Sequence, residues 1–218
     1  MVKIDMHVHT WYSRGDGLGS PKDMLRAAQA RGLDAIAITD HDTMEGYENA
    51  LSVDSPLSVI RGCEVSSSDG HILAYGIESP VPKGMSAEDT ICNIHDQGGF
   101  AVAAHPMDRR RRGVGDLAFS LPFDAIEARN GHNMSSNRHT EELCIKRMVP
   151  MTAGTDAHMA KEVGSCYTEV SSIDTLFEDI AGRRSTLHGK HVSPMVLIEK
   201  WIRSHILKQG YSALHLKS

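Results

Sequence analysis

The sequence contains few aromatic residues, no long apolar run and no excess of positive charge. Phenylalanine, tyrosine and tryptophan make up 5% of the 218 residues, which leaves little material for the stacking platforms that hold single-stranded nucleic acid. No apolar run approaches the roughly 20 residues of a membrane-spanning helix, and no apolar leader follows Met1. The formal net charge of -5 provides no general attraction to nucleic acid or anionic lipid. We therefore expect a soluble, cytoplasmic protein without membrane contact or stable nucleic-acid binding.

Cysteine is also scarce, and its spacing excludes two further classes of protein. Cys63, Cys92, Cys144 and Cys166 are widely separated and form no CxxC pair. This spacing fits neither a disulfide framework nor a zinc ribbon, so we expect four buried thiols in a reducing compartment. Histidine, in contrast, is abundant, with 13 residues against 23 lysines and arginines.

Short apolar runs alternate with helix signals along the chain. The predicted strands cover residues 2–6, 35–39, 59–63, 72–75, 100–104, 125–128 and 151–154. Helices are predicted after Ser20, Ser86 and Ser172, where a capping residue precedes an apolar stripe. This alternation predicts a parallel α/β fold, and seven strands favour a barrel. We expect residues 1–190 to form one domain and residues 191–218 to form an amphipathic helix packed on the barrel.

Side chains that commonly bind metal ions follow the ends of these strands. They are His7, His9, Asp40, His41, Glu64, His105, Glu127 near the end of its strand, Asp156 and His158. Each of these positions alone is compatible with a turn or with an exposed charge at a strand end. In a parallel barrel, however, all of these strand ends meet at one mouth. Burying so many ionisable groups without a cation would be costly, so the pattern predicts a metal site.

Several short motifs occur in a fixed order along residues 1–190. They are Asp5-Met6-His7-Val8-His9-Thr10 with Asp16-Gly17, Thr39-Asp40-His41, Gly62-Cys63-Glu64, Gly70-His71, Ala104-His105-Pro106 and Gly154-Thr155-Asp156-Ala157-His158. As a set, they resemble the PHP (polymerase and histidinol phosphatase) superfamily of metal-dependent phosphoesterases. The resemblance implies a distorted, TIM-barrel-like (β/α)7 barrel with its active site at the C-terminal ends of the strands. It also implies a trinuclear centre of manganese, zinc or iron that acts on phosphate esters.

The resemblance assigns nine metal ligands to this sequence. The first ion would be held by His7, His9, Glu64 and Asp156. Glu64 would bridge to a second ion, which His71 and His105 would also hold. The third ion would be held by Asp16, His41 and His158. Many family members have histidine at the position that matches Asp16, and an aspartate there would favour harder ions such as manganese.

The expected reaction assigns roles to further residues. Two ions that share a water would lower its pKa and present a bridging hydroxide to the phosphorus atom, with Glu64 as the bridging carboxylate. Asp40 would orient a ligand or a water, or would supply the proton for the leaving group. Substrate phosphate is expected to contact arginine, because its planar fork suits phosphate oxygens. The candidates are Arg109, Arg110, Arg111 and Arg112, which follow His105, and then Arg129 with Asn130.

The leading hypothesis is therefore a hydrolase with two or three divalent transition-metal ions, acting on a small-molecule or nucleotide phosphate. An exonuclease or RNA-processing phosphodiesterase with the same centre is an alternative, and a non-catalytic PHP-fold scaffold is another. An amidohydrolase also begins with His-x-His, but it typically needs a carboxylated lysine, and no lysine stands at a predicted strand end. The histidines without a motif are expected to be structural or exposed: His95, His139, His188, His191, His205 and His215. His132 stays open, because it follows a predicted strand toward the mouth.

Overall fold

The computed structural model describes residues 1–133 and 136–203. Nine strands lie within these ranges: β1 (Val2–Val8), β2 (Ala35–Ile38), β3 (Ser58–Ser66), β4 (His71–Tyr75), β5 (Phe100–Ala103), β6 (Ala125–Asn130), β7 (Met151–Gly154), β8 (Cys166–Val170) and β9 (Thr186–Gly189). The helices are α1 (Pro21–Ala30), α2 (Glu45–Leu51), α3 (Ala87–Asp96), α4 (Asn137–Arg147) and α5 (Leu176–Ala181). Residues 194–203 form a further helix, named here the C-terminal helix.

The strands form one sheet in the order β7-β6-β5-β4-β3-β2-β1-β8-β9, and this sheet curls until β7 comes back to β1. The amide of Asp156 donates to the carbonyl of His7 at 2.8 Å, and the amide of His9 donates to the carbonyl of Ala157 at 2.7 Å. Gly154 permits this approach, because a Cβ there would lie 2.5 Å from the Cβ of His7. The result is a nearly closed, barrel-shaped sheet, which confirms the predicted α/β barrel.

The sheet departs from the expected all-parallel arrangement in two places. β4 pairs antiparallel with β3 and with β5, because the short turn between Ser66 and His71 can join only antiparallel neighbours. β8 runs antiparallel to β1 and β9, and neither β8 nor β9 was predicted from the sequence. Because β4 is reversed, His71 at its beginning lies at the same mouth as the ends of β1, β2 and β3.

The interior of the barrel is filled by apolar side chains from several strands, some of which are not neighbours in the sheet. Ile4 of β1, Leu73 of β4 and Val102 of β5 belong to one buried cluster. The Tyr75 hydroxyl crosses this space and donates to the carbonyl of residue 6 at 2.6 Å. At the amino ends of the strands, Phe177 of α5 stacks on Phe100 with ring centroids 4.9 Å apart. Apolar side chains therefore fill the barrel from the amino ends of the strands, and the opposite end is left for polar side chains.

Two helices predicted from capping residues form at the expected positions. Ser20 caps α1, which buries Met24 and Leu25, and Ser86 caps α3. One face of α3 is buried against the protein. Cys92 lies on the other face, toward solvent, and is exposed. The expectation of four buried thiols is wrong for Cys92, whereas the other three cysteines are buried.

Only part of the apolar face predicted for the C-terminal helix packs against the rest of the protein. Val196 and Leu197 are half-buried, whereas the exposed fractions of Trp201 and Ile202 are 61% and 45%. Residues 204–218, which include His205 and His215, lie outside the described residues. Among the helices that the structure describes, none is both long enough and apolar enough to cross a bilayer.

Candidate metal centre

The nine candidate ligands meet at the open end of the barrel. Seven of them line a pocket of about 200 Å³: Asp16, His41, Glu64, His71, His105, Asp156 and His158. His7 and His9 lie against the same carboxylates and are fully buried. Strand ends supply most of these side chains, and the loop between β1 and α1 supplies Asp16. The structure thus brings together all the residues that the family pattern pointed to.

Glu64 stands at the centre of the pocket, and its two oxygens face different histidines. Oε1 lies 3.0 Å from Nε2 of His105 and 3.1 Å from Nδ1 of His71. Oε2 lies 3.1 to 3.5 Å from ring nitrogens of His7, His9 and His41. Burial opposes ionisation, but the histidines, His7 first among them, hold the pKa of Glu64 well below its usual range. One ionised carboxylate thereby lies among five histidine rings that could bind metal ions.

The rings of His7 and His9 are each fixed from behind. Nδ1 of His7 lies 2.9 Å from Glu127, and Nδ1 of His9 lies 2.9 Å from the Ser13 hydroxyl. Their Nε2 atoms are therefore directed into the centre, where they are 3.0 Å apart. Burial lowers the pKa of His7, but the carboxylates of Glu127 and Glu64 outweigh it and raise the pKa to about 10. Two convergent ring nitrogens beside carboxylates fit a shared divalent cation, which would replace the proton.

Asp16 and two histidines form a separate group nearer to solvent. Oδ2 of Asp16 lies 3.3 Å from Nε2 of His41 and 3.2 Å from Nε2 of His158. Oδ1 of Asp16 is buried and has no hydrogen-bond partner within the described residues. Although burial opposes it, the two histidines lower the pKa of Asp16. The aspartate thus offers an oxygen atom beside two histidine ring nitrogens.

Two of the candidate ligands sit on strained backbone. His105 after β5 has a φ of 30°, and Asp156 after β7 has a φ of 59°. Residues with a Cβ rarely adopt such angles, which cost on the order of 1–3 kcal/mol and persist where surrounding contacts hold them. Here the amide of His105 donates to Glu127 at 2.8 Å. The chain accepts strain at two pocket residues, which is typical of functional sites.

Glu127 has a positioning role that the sequence analysis did not assign. Besides contacting His7 and the amide of His105, its carboxylate accepts from the Asn130 side chain at 3.0 Å. Asn130 also donates to Asp156 at 3.3 Å. Glu127 lies on β6 next to β7. Its position near the end of a predicted strand was the one feature of the sequence that could have indicated this role. Asn130, predicted to bind substrate, instead orients Glu127 and Asp156 from behind the pocket.

Asp40 also lies behind the ligands. Its Oδ1 accepts from the Thr10 amide at 2.5 Å, and its Oδ2 accepts from the Thr10 hydroxyl at 2.7 Å. Burial raises the pKa of Asp40. Both oxygens are occupied by Thr10, so the contacts support a role in holding the loop that carries Asp16 rather than proton donation to a leaving group.

The four consecutive arginines have different surroundings. Asp108 caps a short 3-10 helix at Arg109–Arg111, and this turn directs Arg111 inward, where its guanidinium contacts the Asp156 carboxylate. Arg110 and Arg112 line the rim of the pocket, and Arg112 donates to the Ser67 carbonyl at 3.3 Å. Arg109 is exposed and does not line the pocket.

Arg129 does not reach this pocket. Its guanidinium binds both carboxylate oxygens of Glu141 at 2.7 and 3.0 Å and donates to the Leu187 carbonyl at 2.9 Å. The register of β6 shifts between Glu127 and Arg129, so these two residues do not share a face as simple alternation would require. The structure therefore places Arg129 in a separate groove with Asn137 and Cys166, contrary to the expectation that it lies beside the metal ligands.

Comparison with known proteins agrees with this geometry. The sequence profile of the PHP domain family matches residues 5–160. The chain belongs to the PHP domain family. The uncharacterized protein MJ1587 of Methanocaldococcus jannaschii is 32% identical over 160 residues, which cover 65% of this chain and 94% of that protein.

Two relatives with named activities share shorter stretches. A 5'-3' exoribonuclease of Haemophilus influenzae is 32% identical over 87 residues, covering 37% of this chain and 31% of that protein. A phosphoribosyl 1,2-cyclic phosphate 1,2-diphosphodiesterase of Eggerthella lenta is 36% identical over 86 residues, covering 36% of this chain and 32% of that protein. These matches support a hydrolase of phosphate ester bonds at the level of the family.

Solved structures show the same fold at low identity. PsfC from Pseudomonas syringae superposes with a TM-score of 0.72 and 20% identity, covering 94% of this chain and 98% of that one. A two-domain protein from Bacteroides vulgatus, which contains a predicted PHP-like metal-dependent phosphoesterase, gives a TM-score of 0.67 and 20% identity. That superposition covers 93% of this chain and 69% of the other.

Proposed function

We propose that this protein hydrolyses a phosphate ester of a small molecule or nucleotide, with two or three divalent ions of manganese, zinc or iron in the pocket. The observation that carries the proposal is the position of Glu64. Its two oxygens have different nearest histidines, with ring nitrogens at 3.0–3.1 Å from Oε1 and at 3.1–3.5 Å from Oε2. A carboxylate between two groups of nitrogen ligands is what a bridged pair of ions requires.

The remaining side chains supply orientation and charge around that centre. When bound, divalent ions lower the pKa of a water and polarise phosphoryl oxygens. Glu127 and Ser13 fix the rings of His7 and His9 so that their Nε2 atoms face the pocket. Arg111 already has its guanidinium in the pocket, so an entering phosphate oxygen can take the contact that Asp156 now makes.

The size of the pocket favours a small substrate. At about 200 Å³, it has room for a phosphate group beside the ions, and the rest of the substrate would meet Arg110 and Arg112 at the rim. One observation favours a polymeric substrate as the second candidate. Trp11 is 57% exposed and belongs to the same loop as Asp16, where an indole ring could stack on a nucleobase. The exoribonuclease relative makes an oligonucleotide the matching probe.

The proposal is tested by loading the full chain with manganese, measuring bound metal, and screening substrates. The panel should contain nucleotide mono- and bisphosphates, histidinol phosphate and short oligonucleotides. We expect two or three ions per chain and turnover of at least one phosphate ester. One ion or fewer per chain, or no hydrolysis by protein with full metal content, would contradict it. Preference for oligonucleotides would select the second candidate.

A further inference from the structure

The C-terminal helix brings a lysine to the back of the pocket. This helix lies beyond residues 5–160, the stretch that the family profile matches. Lys200 has a side chain that is only 17% exposed, and its Nζ lies 3.9 Å from Oε1 of Glu162, whose side chain is fully buried. A charge pair therefore connects an element outside the family match to the segment that follows β7.

Glu162 holds the backbone of a candidate metal ligand. Its Oε2 accepts from the amide of His158 at 2.6 Å and from the amide of Met159 at 3.1 Å. Two consecutive backbone amides of the segment after β7 are thereby held by this carboxylate. Because Nε2 of His158 lies 3.2 Å from Asp16, a displacement of Glu162 would move the His158 ring relative to Asp16.

The other oxygen of Glu162 needs a positive charge. Oε1 lies 3.4 Å from Nε2 of His132, and within the described ranges neither atom has a hydrogen-bond partner. A buried carboxylate with one oxygen that accepts no hydrogen bond is costly unless a cation is close. That cation must be either a bound ion or a side chain of the protein.

A bound ion is the less suitable of the two. His132, His158 and Glu162 each offer a ligand atom, and these atoms lie within 4.8 Å of one another. However, both ring nitrogens of His158 are committed, Nδ1 to the Asp156 carbonyl at 2.8 Å and Nε2 to Asp16. The Lys200 ammonium already faces Oε1. The positive charge that a further ion would supply is thus already supplied by the protein's own cation.

We propose that Lys200 is a positioning residue of the metal centre. Its ammonium neutralises Glu162, and Glu162 in turn holds the His158 amide and sets the His158 ring against Asp16. This inference rests on the proposed function in one respect, namely that Asp16 and His158 hold a metal ion. It assigns the C-terminal helix a task in the site, which Lys200 performs without lining the pocket.

The test is a manganese-binding titration of the full chain in three variants. Lys200→Met removes the charge and keeps the length, and Lys200→Arg keeps the charge. Lys161→Met is the matched control, since it breaks the 2.7 Å pair between Lys161 and Glu199, which ties the same helix to the same segment. We expect Lys200→Met to weaken the weakest-bound manganese about tenfold, as loss of an outer partner of a metal ligand does. Lys200→Arg and Lys161→Met should bind as the wild type does.

A second background separates positioning from loss of folding. Lys200→Met leaves the Glu162 charge without its lysine partner and can destabilise the chain, whereas Glu162→Gln retains an oxygen for the His158 amide. In the Glu162→Gln background, Lys200→Met should cause no additional loss of manganese affinity. An equal loss in both backgrounds, an equal loss in Lys161→Met, or wild-type binding by a folded Lys200→Met would each overturn the inference alone. Wild-type protein that binds at most one ion would overturn it together with the proposed function.

Discussion

Glu64 and Asp179 are carboxylates buried to almost the same degree, with exposed fractions of 1% and 3%, but their partners differ in kind. Asp179 accepts from the Ser171 amide at 2.9 Å, from Nε of Arg184 at 2.9 Å and from the Thr175 hydroxyl at 3.2 Å. The amide and the guanidinium always carry their protons. The contacts of Glu64 are to histidine ring nitrogens, which donate only in the right tautomer or when protonated.

This difference separates a structural carboxylate from one that requires a ligand. The pKa of both groups is lowered, for Asp179 to about 2 through the Ser171 amide first of all, and for Glu64 through its histidines against the effect of burial. The depression at Asp179 is built into the backbone and needs no ion. At Glu64 it depends on protons that divalent cations would replace. The kind of partner, and not the size of the shift, therefore distinguishes the two.

The largest effect on turnover should come from replacing the Glu64 carboxylate by an amide, and the same replacement at Asp179 should have none. Glu64→Gln keeps the volume but removes the bridging charge, so turnover should fall more than about 100-fold, exceeding the loss typical of an outer partner. At least one ion per chain should be lost, while the protein stays folded. The readouts are kcat with manganese, elemental analysis and thermal unfolding. Asp179→Asn is the matched control and should keep kcat and metal content. A Glu64→Gln protein with wild-type kcat would remove this residue from the mechanism.

The sequence predicted most of the pocket because of a general property of barrels. His7 and Glu64 lie in the last residues of β1 and β3, His41 and Asp156 follow β2 and β7, and parallel strands end at one mouth. His71 could not be found in this way, because it begins an antiparallel strand, and it was identified from the family motif. Local patterns do not determine the direction of a strand, which depends on its neighbours in the sheet.

The substrate arginines were harder to predict, because tertiary contacts decide between them. In the sequence, Arg111 follows the pocket residue His105, and Arg129 follows Glu127, which holds His7. A 3-10 turn capped by Asp108 directs the first inward, and a bulge in β6 directs the second to Glu141. Lys200 has no local signal at all, since its neighbour Glu162 is distant in sequence and becomes a partner only through folding.

An intermediate effect should come from the arginines beside the two kinds of carboxylate. Arg111 contacts Asp156 in the pocket, whereas Arg184 binds Asp179. If Arg111 grips phosphate, Arg111→Met should raise KM about tenfold to a hundredfold, since a charge-assisted contact is worth about 1.5–3 kcal/mol. Arg184→Met and the exposed Arg109→Met should keep KM. Kinetics at fixed ionic strength provide the measurement.

The parameter that changes in Arg111→Met identifies what Arg111 binds. A fall in kcat with an unchanged KM would show that Arg111 acts on the transition state. Wild-type values for both parameters would contradict its assignment to substrate.

The smallest effect concerns the stability of the fold at acidic pH, and it measures the contribution of the Asp179 carboxylate alone. Its pKa is about 2 in the folded protein and about 3.9 in an unfolded chain. The folded state therefore binds this proton less tightly, and the stabilisation is fully present above about pH 4 to 5 and is lost as the pH falls toward 2. Asp179→Asn should lower the urea midpoint at pH 7, and its difference from wild type should narrow between pH 5 and pH 3. Excess chelator in both samples removes metal linkage from the comparison, because any remaining effect of the pocket is common to both proteins. A difference that stays constant over this range would show that the Asp179 charge does not stabilise the fold, and that its contacts act only as neutral hydrogen bonds.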